Sequence, residues 1–354
     1  MKAATILHRS FWVFAFAGFI TVLDLVSVRN QIIDVVEEIV ESSPPEDGVN
    51  LSMHPMSKCR TPTNIEDNPN VTSVLIRRKD EAYPAPIMND TGVVVFFHSP
   101  KTGGSTIREN LIKYYGGERI HFHRVRYMQE DRRKKQVAKH VLPIVKGDRK
   151  EILFLELHGT IPGLSKLDEL VSDWRCTAAK NSVPFFAFTL VREPVSFSQS
   201  YFMFFHQKDC NLTWCETELY DATQENLRKS VKKDRQCTIF THGQEEEKSN
   251  STPPADEDEC NAVFDTMLSD WDWVGTTETM KTSTLPLITH ILDGNATAAS
   301  AFEKFKNQGS TNAKKLGELT STTIGHIKYL NQQDTQLWEK VRSHYSLTIP
   351  GLSM

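Results

Sequence analysis

Three features are scarce in this chain of 354 residues: Cys-x-x-Cys motifs, an excess of charge of one sign, and long apolar runs. The six cysteines form no Cys-x-x-Cys pair and no histidine follows them at ligand spacing, so we predict no metal site. The formal net charge of −4 excludes a globally basic protein that binds nucleic acid over its whole surface. Hydrophobic residues make up 39% of the chain, enough for one large folded domain or two small ones.

The cysteines are unevenly placed, because four of the six lie between residues 210 and 260. Such clustering suits disulfides in a loop-rich stretch within an oxidising compartment. Scattered free thiols are the alternative, and the sequence does not give the connectivity.

A single apolar segment occurs near the N-terminus, at residues 10–28, after a short basic tail at 1–9. It predicts a signal anchor with a cytosolic N-terminus, and the alternative is a cleaved signal peptide. Five Asn-x-Ser/Thr sequons agree with lumenal exposure of the chain beyond this segment: Asn70, Asn89, Asn211, Asn250 and Asn295. We therefore expect a single-pass type II protein of the Golgi membrane, or else a secreted one.

Residues 29–90 are rich in Pro, Asn, Ser and Asp, which predicts a stem, and the folded domain is expected at 91–350. Within that domain short apolar runs alternate with helical spacing. Strands are predicted at 93–97, 151–157, 184–191 and 271–276, with helices at 107–115, 195–205 and 320–341. This alternation predicts an α/β fold: a P-loop-like three-layer sandwich with a central parallel sheet and helices on both faces. Residues 207–260 interrupt the pattern and are interpreted as a Cys-rich surface insertion.

The segment from Ser99 to Thr106 reads Ser-Pro-Lys-Thr-Gly-Gly-Ser-Thr and directly follows a predicted buried strand. Gly103 and Gly104 would let an anion approach the backbone amides at a helix N-terminus. Lys101 adds a mobile positive charge, and the hydroxyls of Ser105 and Thr106 add donors. A nucleotide kinase loop would have its lysine after the last glycine, whereas here the lysine precedes both glycines. The segment therefore predicts a site for a phosphate or sulfate group outside the kinase pattern.

This loop resembles the 5′-phosphosulfate loop of sulfotransferases that use 3′-phosphoadenosine 5′-phosphosulfate (PAPS). Residues 190–202, Leu-Val-Arg-Glu-Pro-Val-Ser-Phe-Ser-Gln-Ser-Tyr-Phe, resemble the 3′-phosphate motif of the same family. Arg192 and Ser200 match the arginine and serine that contact the 3′-phosphate there. Residues 273–278 and 329–338 resemble a strand end and the last helix of membrane-bound carbohydrate sulfotransferases. The resemblance implies that PAPS is held by eight residues: Lys101, Thr102, Gly103, Gly104, Ser105, Thr106, Arg192 and Ser200.

Sulfuryl transfer to an alcohol needs a base for the acceptor proton and a cation for the leaving phosphate. Lys101 is the predicted cation. The related enzymes place a His or Glu base near a His-Gly sequence after the second strand, which here is Glu156-Leu157-His158-Gly159. His158 is the first candidate base and Glu156 the second, either as the base or as the group that orients His158. His98 is a further possibility.

The stretch from Arg119 to Lys150 is rich in Lys and Arg and includes His121 and His123. Together with the resemblance it predicts an anionic glycan as acceptor, such as a glycosaminoglycan-like polysaccharide. A solvated helix face is the alternative interpretation. The resemblance leaves open a sulfotransferase for protein tyrosine or small alcohols, and a non-catalytic carbohydrate-binding protein of the same fold. No nucleic-acid partner is expected, and the sequence does not give the oligomeric state.

Overall fold

The computed structural model describes residues 59, 74–79, 81–125, 130–158, 163–206, 220–243, 253–295 and 316–348; the side chains of 130–136 and 165–166 are outside that description. The predicted tail, the apolar segment at 10–28 and most of the predicted stem fall outside these ranges. Among the residues that are described, no helix is both long and apolar enough to cross a membrane.

The centre of the fold is a five-stranded sheet in which every pairing is parallel. Its strands are β3 (Gly92–His98), β4 (Ile120–Val125), β5 (Ile152–His158), β6 (Phe185–Val191) and β7 (Trp273–Thr276), and they lie side by side in the order β4-β5-β3-β6-β7. All residues of β3 and β6 are buried, as is typical of parallel strands covered on both faces. The predicted α/β fold with a central parallel sheet is confirmed.

Helices connect and cover these strands. They are α1 (Gly104–Arg119), α2 (Glu130–Val145), α3 (Leu164–Lys180), α4 (Pro194–Phe205), α5 (Gln224–Ser230), α6 (Arg235–His242), α7 (Glu257–Asp270), α8 (Thr284–Asp293), α9 (Ser321–Leu330) and α10 (Gln332–His344). The single closing helix predicted at 320–341 is two helices, because Asn331 leaves the helical conformation and its side chain donates to the Ile327 carbonyl oxygen at 2.8 Å. That side chain ends α9 one residue before α10 begins.

A second, antiparallel sheet is formed by β1 (Leu75–Arg78), β2 (Glu81–Pro84) and β8 (Tyr345–Thr348), in the order β2-β1-β8. Two of its strands come from the segment that the sequence predicted as a stem. The folded part of the chain therefore includes residues before 91. One of the strands there, β1, pairs with β8, the last described strand.

Part of the predicted surface insertion at 207–260 belongs to the core. Cys237 and Phe240 of α6 are fully buried, and the Phe240 ring lies 5.6 Å from the ring of Phe97 on β3. A disulfide joins Cys237 to Cys260 on α7, and another joins Cys59 to Cys176 on α3. The predicted disulfides are thus present, although one of them lies outside the cysteine cluster. Of the predicted glycosylation sites, Asn89 and Asn295 are described, and both are exposed.

Candidate functional site

The candidate site lies at the carboxyl ends of β3, β5 and β6. The chain leaves β3 toward one edge of the sheet, forms β4 and β5, and then crosses β3 to form β6 on its other side. Crevices in open α/β sheets form at such a reversal, next to the strand ends. The loop after β3 contains Lys101, and the turn after β6 contains Arg192. The topology therefore brings together two motifs that are about 90 residues apart in the sequence.

The loop after β3 presents unpaired backbone donors. Lys101 and Gly103 have positive φ angles of 66° and 89°, and the Thr102 hydroxyl donates to the Ser99 carbonyl oxygen at 2.8 Å. Helix α1 begins at Gly104 without a side-chain cap. Within the described part of the chain, the amides of Gly103, Ser105 and Thr106 donate to no acceptor. Such amides at a helix N-terminus favour an anion.

Two cations meet beside this loop. Arg192 Nη1 donates to the Lys101 carbonyl oxygen at 2.8 Å, and the Lys101 ammonium lies 3.9 Å from the centre of the Phe204 ring. Burial and the charge of Arg192 lower the pKa of Lys101 to about 8. Burial also lowers the pKa of Arg192, and its Nε is buried without a partner in the described region. A bound anion would relieve the repulsion between the two cations.

Residues distant in sequence hold Arg192 in place. Gln236 bonds its backbone twice: Arg192 N donates to Gln236 Oε1 at 2.9 Å, and Gln236 Nε2 donates to the Arg192 carbonyl oxygen at 2.7 Å. Gln236 lies in the first turn of α6, where Asp334 accepts from the amides of Gln236 and Cys237 at 2.9 and 2.7 Å. Asp334 thus satisfies the helix N-terminus that positions Gln236.

The two regions with weaker resemblance also reach the turn after β6. Glu278, which follows β7, accepts from the Glu193 amide at 3.2 Å and from Trp338 Nε1 at 3.2 Å. The side chains of Glu278 and Trp338 therefore support the residue next to Arg192. Sequence reasoning identified these segments by resemblance alone and gave no reason for their presence.

A buried carboxylate, Glu156 on β5, lies at the bottom of the site. It accepts from His98 Nδ1 at 2.7 Å, and it pairs with Arg108 Nη1 at 3.0 Å and Arg124 Nε at 3.2 Å. Burial by itself would raise the pKa of Glu156, but the hydrogen bond from His98, together with the charge and the hydrogen bond of Arg108, brings it below its usual value. Glu156 is therefore a held carboxylate and a poor proton acceptor. The sequence gave no signal for its two arginine partners.

His98 connects this carboxylate to the loop. Its Nε2 accepts from the Gly104 amide at 3.1 Å, so its Nδ1 is the protonated nitrogen that donates to Glu156. A Cβ atom at Gly104 would lie 2.3 Å from the His98 ring. The sequence predicted that Gly104 lets an anion approach the backbone. In the structure the Gly104 amide donates to His98, and the His98 ring occupies the space that a side chain at residue 104 would need.

His158 lies beside His98 as its register partner on β5, with the ring centres 4.6 Å apart and the rings perpendicular. It is half-buried, in contrast to the buried His98 and Glu156. Ser200 is half-buried on α4, the helix that follows Arg192. The carboxyl ends of β3, β5 and β6 thus bring together four of the candidate residues, Lys101, Arg192, Glu156 and His158.

The side chains of His98, Glu156 and His158 are close enough to share a metal ion. However, both oxygens of Glu156 face arginines, so a cation there would compete with two fixed positive charges. The two arginines therefore disfavour a metal ion at this cluster.

No protein-family model and no curated protein matches the chain. Among solved structures, one described as "Crystal structure of APE1195" is similar over 29% of this chain and 62% of that chain, at 14% identity and a TM-score of 0.22. The fold is an α/β sandwich, and at its topological switch point the loop after β3 lies beside the two cations Lys101 and Arg192.

Proposed function

We propose that this chain is a PAPS-dependent sulfotransferase, which transfers a sulfuryl group to a hydroxyl of a carbohydrate acceptor. The observation that supports this most is the contact of the two phosphate-binding motifs, in which Arg192 donates to the Lys101 backbone at 2.8 Å. A donor with a 5′-phosphosulfate and a 3′-phosphate needs two anion sites a few ångströms apart. A generic phosphate loop would need only one.

In this proposal the phosphosulfate occupies the loop, with the amides of Gly103, Ser105 and Thr106 as donors and Lys101 beside the bridging oxygen. The 3′-phosphate contacts Arg192 and Ser200, which offer a charged fork and a hydroxyl. Thr102 and Gly104 shape the loop through Ser99 and His98.

In the reaction, the acceptor oxygen forms a bond to sulfur while the bond from sulfur to the donor phosphate oxygen breaks. The acceptor hydroxyl loses its proton to His158, and the electron pair of the broken bond stays on the phosphate, where Lys101 stabilises it. Glu156 is less suited as base because its pKa is lowered and its oxygens are engaged. His98 is less suited because both of its nitrogens have partners. Glu156 and His98 are therefore assigned to positioning.

An anionic glycan is the proposed acceptor class, and a Golgi membrane is the proposed location. Part of the basic stretch supports the proposal of an anionic acceptor, since Lys139, Lys146 and Lys150 are exposed. Other members are occupied within the fold: Arg124 pairs with Glu156, Arg149 with Glu151, and Arg119 donates to the Leu292 carbonyl oxygen. Among the described residues of this stretch, fewer cations are available than the sequence indicates, and the acceptor is the first unknown to test.

The test measures donor binding and transfer separately. Adenosine 3′,5′-bisphosphate and AMP are titrated into the chain by calorimetry, and labelled PAPS is offered with glycans, tyrosine peptides and small alcohols. We expect the bisphosphate to bind much more tightly than AMP. Arg192→Ala should remove that preference, whereas Arg77→Ala, at an exposed arginine of β1, should keep it. His158→Ala should bind the donor normally and lose roughly 100-fold or more in transfer.

Each outcome has a distinct meaning. Absence of both bisphosphate binding and transfer would refute the proposal. Binding without transfer to any acceptor would favour a non-catalytic protein, and transfer to tyrosine or a small alcohol alone would refute the glycan acceptor. Normal turnover by His158→Ala would refute the assignment of the base.

A further inference from the structure

A second histidine cluster lies on the edge strand of the sheet, away from the candidate site. His121 and His123 are two residues apart on β4 and project from the same face, and His140 of α2 packs against them. The ring centres of His123 and His140 are 3.9 Å apart, and those of His121 and His140 are 5.6 Å apart. One nitrogen from each ring lies within 4.8 Å of the nitrogens of the other two.

This cluster is on the opposite face of β4 from the candidate site. Phe122 and Arg124 alternate with the histidines along the strand, and they contact Phe154 and Glu156 of β5 respectively. Side chains of successive strand residues point to opposite faces. The three histidines are therefore independent of the residues proposed for sulfuryl transfer.

The chemical state of these rings suits metal binding. Burial and the neighbouring rings of His140 and His121 lower the pKa of His123 to about 4, and burial, followed by the positive groups around it, lowers that of His140. A lowered pKa favours the neutral ring, which is the form that binds a metal. His121 Nε2 is buried and has no hydrogen-bond partner in the described part of the chain. A buried ring nitrogen without a partner is costly unless a ligand satisfies it.

One carboxylate stands near the cluster. Glu151 directly precedes β5, its charge acts on His140, and its Oε1 is buried without a partner among the described residues. Its other oxygen pairs with Arg149 at 3.1 Å. Glu151 thus supplies negative charge near a bound cation without being one of the three convergent ligands.

We propose that His121, His123 and His140 form a binding site for a Zn²⁺ ion. Three imidazole nitrogens with an open fourth position are a donor set that Zn²⁺ accepts, whereas Ca²⁺ and Mg²⁺ require oxygen ligands. Zinc–nitrogen bonds of about 2.0–2.1 Å place tetrahedral ligands about 3.3 Å apart, so the nitrogens must approach one another by rotation of half-buried side chains. The bound ion would link α2 to the edge strand. This departs from the expectation of no metal, which rested on cysteine spacing.

The experiment uses the full chain, treated with a chelator and then titrated with Zn²⁺ by calorimetry and with Co²⁺ by visible absorption. We expect one Zn²⁺ per chain and the intense Co²⁺ absorption of a four-coordinate site. His123→Asn and His140→Asn should each weaken Zn²⁺ binding by roughly 100-fold or more, because loss of a ligand exceeds the 10–100-fold cost of losing an outer-shell partner. The control is His326→Asn, at a half-buried histidine on α9 that contacts the Arg228 carbonyl oxygen. It should bind as the unmodified chain does.

Absence of saturable Zn²⁺ binding in the unmodified chain overturns the proposal, and this result needs no variant to fold. Unchanged binding by both His123→Asn and His140→Asn, or loss of binding in His158→Asn instead, also overturns it, because the ion would then lie elsewhere. Circular dichroism of each variant separates loss of ligation from loss of fold.

Discussion

At the scale of single residues, the candidate site is defined by two positively charged residues, Lys101 and Arg192, which lie close together. Their repulsion costs free energy. The Arg192 guanidinium touches the Lys101 backbone, and burial with that neighbouring charge lowers the pKa of Lys101 to about 8. A side chain in this state is charged at pH 7 but loses its proton at a pH where an ordinary lysine keeps it. A bound phosphosulfate would reverse the shift, since an anion favours the charged ammonium.

Donor affinity should therefore depend on pH through Lys101. In the free protein Lys101 loses its proton above about pH 8, while the donor-bound form holds it to higher pH. The affinity for adenosine 3′,5′-bisphosphate should thus fall about twofold between pH 7 and 8 and then by up to about tenfold per pH unit. Calorimetric titrations between pH 7 and 9.5 measure this.

Lys101→Arg is the matched control, because an arginine stays charged throughout this range. Its binding curve should be flat with pH. An equally flat curve for the unmodified chain would show that Lys101 does not contact the bound anion.

At the scale of elements, the start of α1 depends on the close contact between Gly104 and His98. The Gly104 amide donates to His98 Nε2, and His98 in turn donates to Glu156. The helix that presents amides to the proposed anion is therefore fixed to β3 and β5 through one histidine ring. Gln236 and Asp334 perform the corresponding task on the other side, where they fix the turn after β6.

Gly104→Ala should disturb both stability and donor binding. The added methyl group would lie 2.3 Å from the His98 ring, so the first turn of α1 must shift. Overpacking of this kind costs about 1–3 kcal/mol of unfolding free energy, and the shifted amides should bind the bisphosphate more weakly. Denaturant unfolding and calorimetry measure the two effects.

Gly117→Ala, near the other end of α1, is the control, because nothing lies within 4 Å of its added Cβ. It should leave donor binding unchanged. If Gly104→Ala behaved like Gly117→Ala in both measurements, the contact with His98 would not position the loop.

At the scale of the whole molecule, distant parts of the chain are tied together. The disulfide between Cys59 and Cys176 spans 117 residues, and β1 pairs with β8 near the other end of the chain. Closure of a long loop in the unfolded chain is what such a bond restricts. The segment that precedes the central sheet is thereby held to α3.

Replacement of both Cys59 and Cys176 by serine should lower the unfolding free energy substantially. The loop-entropy model gives up to about 4.7 kcal/mol for a closed loop on the order of 100 residues. Urea unfolding of the variant under non-reducing conditions measures the loss, and reduction of the unmodified chain should lower its stability in the same direction. An unchanged urea midpoint in the variant would mean that the disulfide does not restrict the conformations of the unfolded chain.

Much of the fold follows from local pattern. The apolar runs at 93–97 and 184–191 predicted buried strands that the structure places at Gly92–His98 and Phe185–Val191. Such runs are readable because a strand covered on both faces must be apolar along its whole length. The pattern failed at 207–260, where the polar and cysteine-rich composition hid α6. It failed again at Asn331, where a single side-chain cap divides two helices.

The order of residues in the chain specified the glycine loop, the lysine before it and the pair Arg192 and Ser200, because each is a local arrangement of donors. It also placed Glu156 and His158 at one strand end. Tertiary structure alone decided that Lys101 and Arg192 touch, that Glu156 is held by two arginines, and that His121 and His123 meet His140. These contacts join residues on different elements, and their geometry depends on strand order and helix packing, which no local pattern encodes.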